Sequence, residues 1–538
     1  MEGWNSTGMA NTPEHWDVED SAFWDATGKS IANRNLWVSI PNLLCGFSVW
    51  LYWGMIVKIM QRLHFANPEL FNFTFRNDGQ SYDEAGYRAL LFTLPAVAGL
   101  AGATLRIPNS FMIAICGGRN VKFMTTVLLI LPALATGIAL QNPATPFLVY
   151  IILAALSGVG GGAFASSMSN ISFFFPKRMQ GLALGLNAGL GNAGVSVMQF
   201  LIPWAITFGL FGGLGGDPQE FVQDGETQRL WIQNAALVWV PIMTLLAIAA
   251  WVYMNNLPQH DCGPTPVAIG KYLWLQAIGF IGAAVGVVVL VFVPMPFPEL
   301  ITTFIVLVVA VVATMLGMRF MTPRTIQEPL NKQFAIFRNK HNWVMTWLYV
   351  MTFGSFIGYS NAFPKLLDDV FVTPTNGLKT SGYIWIGAAV GAFIRPVGGW
   401  LSDKLGGARV TQWDTWIMVV STLVAGYIVS LAGASTTPEK YFIPFVVTFV
   451  VLFATTGIGN GSTFRMIPII FSKEQAGPVL GWTSAIAAYG AYLIPKIFAT
   501  QIKAGTPEYA LYGFAFYYAT CLAVNWWFYA RANAEIKC

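Results

Sequence analysis

Two stretches that echo each other decide the fold: RIPNSFMIAICGGRN, from Arg106 to Asn120, and RPVGGWLSDKLGGAR, from Arg395 to Arg409. Arginine meets arginine, and Gly117-Gly118 meets Gly406-Gly407 at equal offsets. A second pair agrees with the first. FPKRMQGLALGLNAGLGNAG, from Phe175, lines up with FSKEQAGPVLGWTSAIAAYG, from Phe471, matching Phe, Lys and three glycines. A duplication across both halves of a chain is the mark of carriers built from two related halves with a binding site between them.

The surroundings of these repeats are apolar. Of 538 residues, 55% are hydrophobic and 10% charged, against roughly 25% charged in a soluble domain. With 14% aromatics and a mean hydropathy of +0.56, the composition excludes a soluble globular protein, a disordered chain, collagen and a coiled coil, and makes the lipid bilayer the main solvent. Charge-free stretches predict six membrane helices near 37–57, 89–116, 123–141, 146–171, 182–211 and 231–254. Two further runs, Tyr272–Pro298 and Leu300–Met318, are split by PMPFP and read as an inserted hairpin. A basic linker leads to six more, near 342–364, 381–402, 413–433, 441–471, 477–500 and 509–530. The expected fold is an all-α integral membrane protein of about 14 helices. Its parts are an N-terminal segment (1–36), a first six-helix bundle (37–256), the hairpin with its linker (257–340), and a second bundle with a short tail (341–538).

Lys and Arg set the orientation. With the N-terminus inside, Arg119, Lys122, Lys177, Arg178, the linker cluster, Lys404, Arg409 and Lys473 all fall on the cytoplasmic side, and both termini are expected there. The net charge of +5 is thus topological and implies no nucleic-acid partner. The first 36 residues lack the apolar run of a cleavable signal peptide. Five scattered cysteines and four histidines give no metal or disulfide framework, and no cofactor is implied.

Arg106 lies ten residues before Cys116 at the inner end of its helix, which places it ~15 Å deep. Arg395 matches it in the second half. All 25 acidic residues read as lying in the N-terminal segment, loops or helix ends, leaving no carboxylate in a helix interior to neutralise either guanidinium. An unpaired buried charge is costly, so an anion is needed to complete the site. The planar fork of N–H donors suits a small planar oxyanion. Asn187 and Asn192, and Asn460 with Ser462 in GIGNGSTF, are amide and hydroxyl donors for the anion or else interhelical ties. Phe47, Phe164 and Phe353 are candidate pocket walls, and Tyr349 offers a hydroxyl. GGWLSDKLGGAR, from Gly398, reads as a gate in which Asp403 pairs with Arg409 or with a neighbouring helix end; Arg465 and Lys496 read as anchors near helix ends.

GGWLSDKLGGAR also resembles the loop signature of the major facilitator superfamily. FASSMSNISFFFPKRMQGLALGLNAGLGNAGVSVMQ, from Phe164, is similar to the nitrate signature of the nitrate/nitrite porter family, NarK type, and FWDATGKSIANRNLW, LRIPNSF, LYVMTFGSFIGYS and GIGNGSTF resemble that family too. The resemblance implies the major facilitator fold of two six-helix bundles. It also implies nitrate or nitrite clamped by Arg106 and Arg395, with Asn192, Tyr349, Phe47, Phe164, Phe353, Gly457 and Asn460 lining the site. Ala188 and Asn460 depart from the glycine and serine expected at those positions, and the hairpin exceeds the usual twelve helices. The expected function is transport, not catalysis: nitrate/nitrite antiport across the inner membrane, with proton-coupled symport as the alternative and a cytoplasmic-facing nitrate reductase as a functional neighbour.

Overall fold

The computed structural model describes residues 12–73, 84–223, 226–260, 262–373, 377–380 and 382–538; the first 11 residues of the expected N-terminal segment lie outside them. The first half contains α1 (Ser21–Ala66), α2 (Glu84–Asn109), α3 (Gly118–Gln141), α4 (Phe147–Phe174), α5 (Gln180–Asn192, continued by Gly194–Ala205) and α6 (Asn234–Tyr253). The hairpin is α7 (Thr265–Phe292) and α8 (Glu299–Phe320). The second half contains α9 (Lys340–Tyr349, resuming as Ser355–Phe371), α10 (Ile384–Leu405), α11 (Gly407–Gly433), α12 (Pro438–Ile470), α13 (Lys473–Ala488, continued by Gly490–Lys503) and α14 (Pro507–Asn525). The order of six, two and six is the one expected.

Among the described residues, ten helices are long and apolar enough to cross a membrane. The other four, α5, α9, α13 and α14, are not among those ten; α5, α9 and α13 are each interrupted along their length. Side chains such as Phe200, Leu245, Trp413 and Phe516 (75% exposed) face outward from the bundle, which water would penalise and lipid does not.

Two boundaries differ from expectation. α1 starts at Ser21, inside the segment read as preceding the first bundle, with the Asp20 side chain accepting the Ala22 N–H at 2.9 Å. Trp24, Gly28, Ala32, Asn35 and Leu36 are buried at helical spacing, so this stretch is an amphipathic helix, whose narrow apolar stripe contains no continuous run. The acidic loop after α5 forms a two-stranded antiparallel hairpin, Gln219–Gln223 with Glu226–Leu230, the one sheet among the described residues.

The halves meet where α5 packs on α10 and α4 on α13. A Cβ on Gly399 would stand 2.1 Å from the Gly181 carbonyl oxygen, so glycine is what lets α10 and α5 touch backbone to backbone. Residues near each end of the described chain, Trp16 and Cys538, sit on this tightly packed face, the termini face. Trp16 Nε1 donates to the Phe173 carbonyl at 3.0 Å, and the Ala408 N–H donates to the Cys538 carbonyl at 3.1 Å. At the opposite face the halves part around a cavity of about 650 Å³ lined in part by Lys58, Arg88, Gln199, Asn361, Lys365 and Lys496. The inserted hairpin packs along α2 and reaches the second half through α13, where Lys496 meets Glu299 at 3.1 Å.

Candidate functional site

Arg106 lies in the last turn of α2, and Arg395 opens the second segment of α10 after a break at Ile394. Both are fully buried. Arg106 spends Nε on the Gly161 carbonyl of α4 (2.7 Å) and Nη1 on the Ser484 carbonyl of α13 (3.2 Å), which ties the first-half arginine to the second half. Its Nη2 has no partner. Arg395 donates from Nε to Gly391 in its own helix (3.3 Å), and both of its Nη atoms are unpartnered. Three guanidinium nitrogens in one buried region are therefore short of acceptors, and a buried donor left unmade is expensive.

Aromatic rings replace part of the missing hydration. The Arg106 guanidinium lies over Phe47 (5.7 Å), Trp50 (5.1 Å), Phe164 (4.7 Å) and Phe353 (4.7 Å), and Arg395 over Phe353 (5.6 Å) and Phe356 (4.1 Å). Each contact is a cation–π attraction, strongest where water is excluded. Phe353 serves both arginines. Its position comes from a π-helical turn, Val350–Gly354, that interrupts α9; one extra residue per turn re-aims the side chains that follow. Phe164, Phe353, Tyr349 and Phe464 then stack with neighbouring ring centroids 4.9, 5.7 and 4.4 Å apart.

Asn460 donates from Nδ2 to the Tyr349 hydroxyl oxygen at 2.7 Å. With that lone pair occupied, the Tyr349 hydroxyl proton is left to donate to a guest. Gly457 packs on the Gly391 carbonyl that also accepts from Arg395. α5 lays Gly185 and Gly189 against the turn of Arg395. Asn192, one turn further on, gives Nδ2 to its own Ala188 carbonyl at 2.6 Å and leaves Oδ1 bare. Asn187 lies elsewhere, bonded to Ser167 Oγ at 3.0 Å and Met168 Sδ at 3.3 Å, where Ser167 also meets Ser39. It serves as an interhelical tie.

The two residues expected to form a gate divide. Asp403 is bonded through Oδ1 to Arg465 Nε of α12, and through Oδ2 it accepts the Leu182 N–H of α5 at 3.0 Å. Asp403 thus joins the two halves at the face carrying the termini. Arg409, the other candidate, is exposed in the first turn of α11 and forms no ion pair among the described residues. The cation that Asp403 meets is Arg465, read from sequence as an anchor because of its place near a helix end, and the Leu182 N–H belongs to the neighbouring helix end that the sequence offered as the other partner. Trp50 and Phe356 were also missed, although each stands three residues from a named ring, Phe47 or Phe353, and so on the same helical face. A further correction concerns the acids: Asp414 of α11 is 4% exposed, inside the second bundle. It read as a helix-end residue because the helix was expected to begin near 413, whereas α11 begins earlier, at Gly407.

A family model described as the Major Facilitator Superfamily matches residues 38–495. The chain is 36% identical to the probable nitrate/nitrite antiporter NarK2 of Thermus thermophilus, over 97% of each chain. It is 34% identical to the nitrate/nitrite transporter NarU of Escherichia coli, again over 97% of each. Among solved structures, the proton:xylose symporter XylE superposes with a TM-score of 0.58 at 15% identity, covering 93% of this chain and 96% of that one. The human organic anion transporter MFSD10 superposes with 0.53 at 11%, covering 93% and 99%. The chain belongs to the nitrate/nitrite porter family of the major facilitator superfamily and is a multi-pass membrane transporter, not an enzyme.

Proposed function

We propose that this protein exchanges nitrate for nitrite across the inner membrane, by alternating access around one anion held between Arg106 and Arg395. The observation that carries the reading is the set of three unpartnered guanidinium nitrogens, Arg106 Nη2 and Arg395 Nη1 and Nη2, buried around the shared Phe353 ring. A planar oxyanion supplies the acceptors and the charge that this arrangement lacks. The relatives named for nitrate and nitrite transport support the choice of anion. Tyr349 donates its hydroxyl to the anion; Phe47, Phe164 and Phe353 keep water out, so that the charge-assisted bonds stay strong.

Exchange follows from electrostatics. An empty carrier holds two uncompensated charges and reorients slowly, whereas the loaded carrier crosses readily. The Lys and Arg distribution supports a cytoplasmic position for both termini, and on that side Asp403, Arg465 and the Leu182 N–H close the inner gate. A nitrate reductase with a cytoplasmic active site is the natural source of the outgoing nitrite.

The test is labelled nitrate uptake into proteoliposomes preloaded with nitrite, nitrate or chloride, with and without a proton ionophore, for wild type and Arg106→Lys. Uptake that needs internal nitrite or nitrate, ignores the ionophore and collapses in the variant is expected. Uptake into chloride-loaded vesicles that the ionophore abolishes would refute exchange and establish proton symport.

A further inference from the structure

Asp414 has no role in the anion site, yet it lies where an acid is least tolerated. Seven residues into α11, it is 4% exposed, and neither carboxyl oxygen has a hydrogen-bond partner. Its carboxyl abuts bare backbone: a Cβ on Gly459 of α12 would stand 2.5 Å from Asp414 Oδ2 and 2.7 Å from Thr352 Cγ2. Gly459 precedes Asn460, and Thr352 precedes Phe353 in the π-helical turn. The acid is thus wedged behind the two elements that present Tyr349, Phe353 and Asn460 to the anion.

Among the described residues, no cation neutralises it. Of the charged and titratable groups on the elements packed against α11, Arg465 of α12 pairs with Asp403 of α10, and Lys404 of α10 lies over the Trp400 ring at 4.0 Å. Arg395 of α10 faces Phe353 and Phe356. From α14, Tyr518 bonds to Ser355 and Tyr359, and Cys521 to the Trp347 carbonyl. Tyr529, in the turn after α14, bonds to His341. Glu439 and Lys440 stand at the far end of α11. The nearby hydroxyls are also committed: Thr411 to Ser462 at 2.7 Å, Thr415 to the Thr411 carbonyl at 2.7 Å, Thr463 to the Gly459 carbonyl at 2.7 Å. A metal cation would need several oxygen ligands that are already in use, whereas a proton needs only the carboxyl itself.

We propose that Asp414 is a proton-binding site: the carboxyl carries its proton in the state packed at the termini face, and gives it to water when the contact among α11, α12 and the π-helical turn loosens. An ionised acid at this place would be buried, unpaired and without a donor, so the packed arrangement accommodates only the neutral form. Proton binding and closure of the termini face are then linked, each favouring the other. The consequence for transport rests on the exchange reading above; the proton site itself does not.

Two measurements separate the claims. Infrared difference spectra of the purified full-length protein, taken across a pH titration, should contain a protonated-carboxyl band at neutral pH that disappears in Asp414→Asn, whatever the protein transports. Exchange at equal pH on both sides, from about pH 5.5 to about pH 8.5, should vary roughly threefold or more in wild type and be nearly flat in Asp414→Asn, which mimics the protonated acid. No such band at neutral pH would overturn the proton site even if exchange is normal. Matching pH profiles for wild type and variant would overturn its link to the cycle. Should Asp414→Asn fail to fold, the wild-type band and its loss on titration decide the first point, and Asp414→Glu, with a displaced band and shifted pH profile, decides the second.

Discussion

Phe353 stands 4.7 and 5.6 Å from the two guanidiniums, and that one ring makes the buried charges a joint site. Removing it should weaken both arginines at once: Phe353→Ala is expected to raise the KM for nitrate more than Phe164→Ala, whose ring serves Arg106 alone. Tyr349→Phe tests the hydroxyl. It deletes the proposed donor to the anion and strips Asn460 Nδ2 of its acceptor, a loss of about 1–3 kcal/mol, so KM should rise about fivefold or more with the folded yield unchanged; an unaltered KM would remove Tyr349 from the site. The arginines were legible in the sequence because a repeat marked them and an apolar setting made them costly. Asn187 and Asn192 were not separable there, since hydrogen bonding to an anion and to a neighbouring helix require the same residue type. Only the packing assigns Asn187 to Ser167.

At the scale of elements, the joint between α5, α10 and α12 is a latch made of Asp403, Arg465 and the N-terminal end of α5. Both charged side chains are 13% exposed, so the pair exceeds the small worth of a surface bridge. Asp403→Ala and Arg465→Ala are each expected to increase labelling of a cysteine introduced at the termini face. The double variant should add less than the sum of the two, with a coupling of about 1–3 kcal/mol. Arg409→Ala should leave the labelling unchanged. Sequence spacing favoured Arg409 because it shares the turn with Asp403, and it had no means of weighing a helix that packs from elsewhere. The π-helical turn in α9 was invisible for a related reason: it is one residue of excess in an otherwise regular apolar pattern.

The interval between α6 and α7 holds an acid-sensitive element. His260 is buried with its ring edge-on to Phe173 at 4.8 Å, neither nitrogen has a partner among the described residues, and burial pushes its pKa down to about 4. The unfolded chain titrates near 6.5, so the stabilisation from the neutral ring is complete above about pH 6.5 and is lost as pH falls towards 4, to an extent of about 3 kcal/mol. Thermal unfolding in detergent should therefore show a steeper loss over that range for wild type than for His260→Gln; parallel curves would remove His260 as the cause.

The two related halves bring Arg106 and Arg395 to one place, and the whole-molecule plan of six, two and six helices followed from counting apolar runs. What counting did not reveal was α1 starting at Ser21, because an amphipathic stripe contains no run, and Asp414, because distance along the chain from a turn does not report depth within a bundle.

The cavity at the face away from the termini is lined by Lys58, Arg88, Lys365 and Lys496, with Glu299 as a lining acid. Two of these cations are paired, Lys365 with Asp369 at 2.7 Å and Lys496 with Glu299 at 3.1 Å; if the cations still outweigh the acids, the mouth works as an ionic funnel that raises the local anion concentration before any binding occurs. Anion capture from that side should slow as salt is added, with the mobile ions screening the mouth over about 10 Å at 0.1 M. Measuring the salt dependence of initial exchange rates in vesicles that expose this face checks the steering, and a flat dependence would mean that the cavity cations steer nothing.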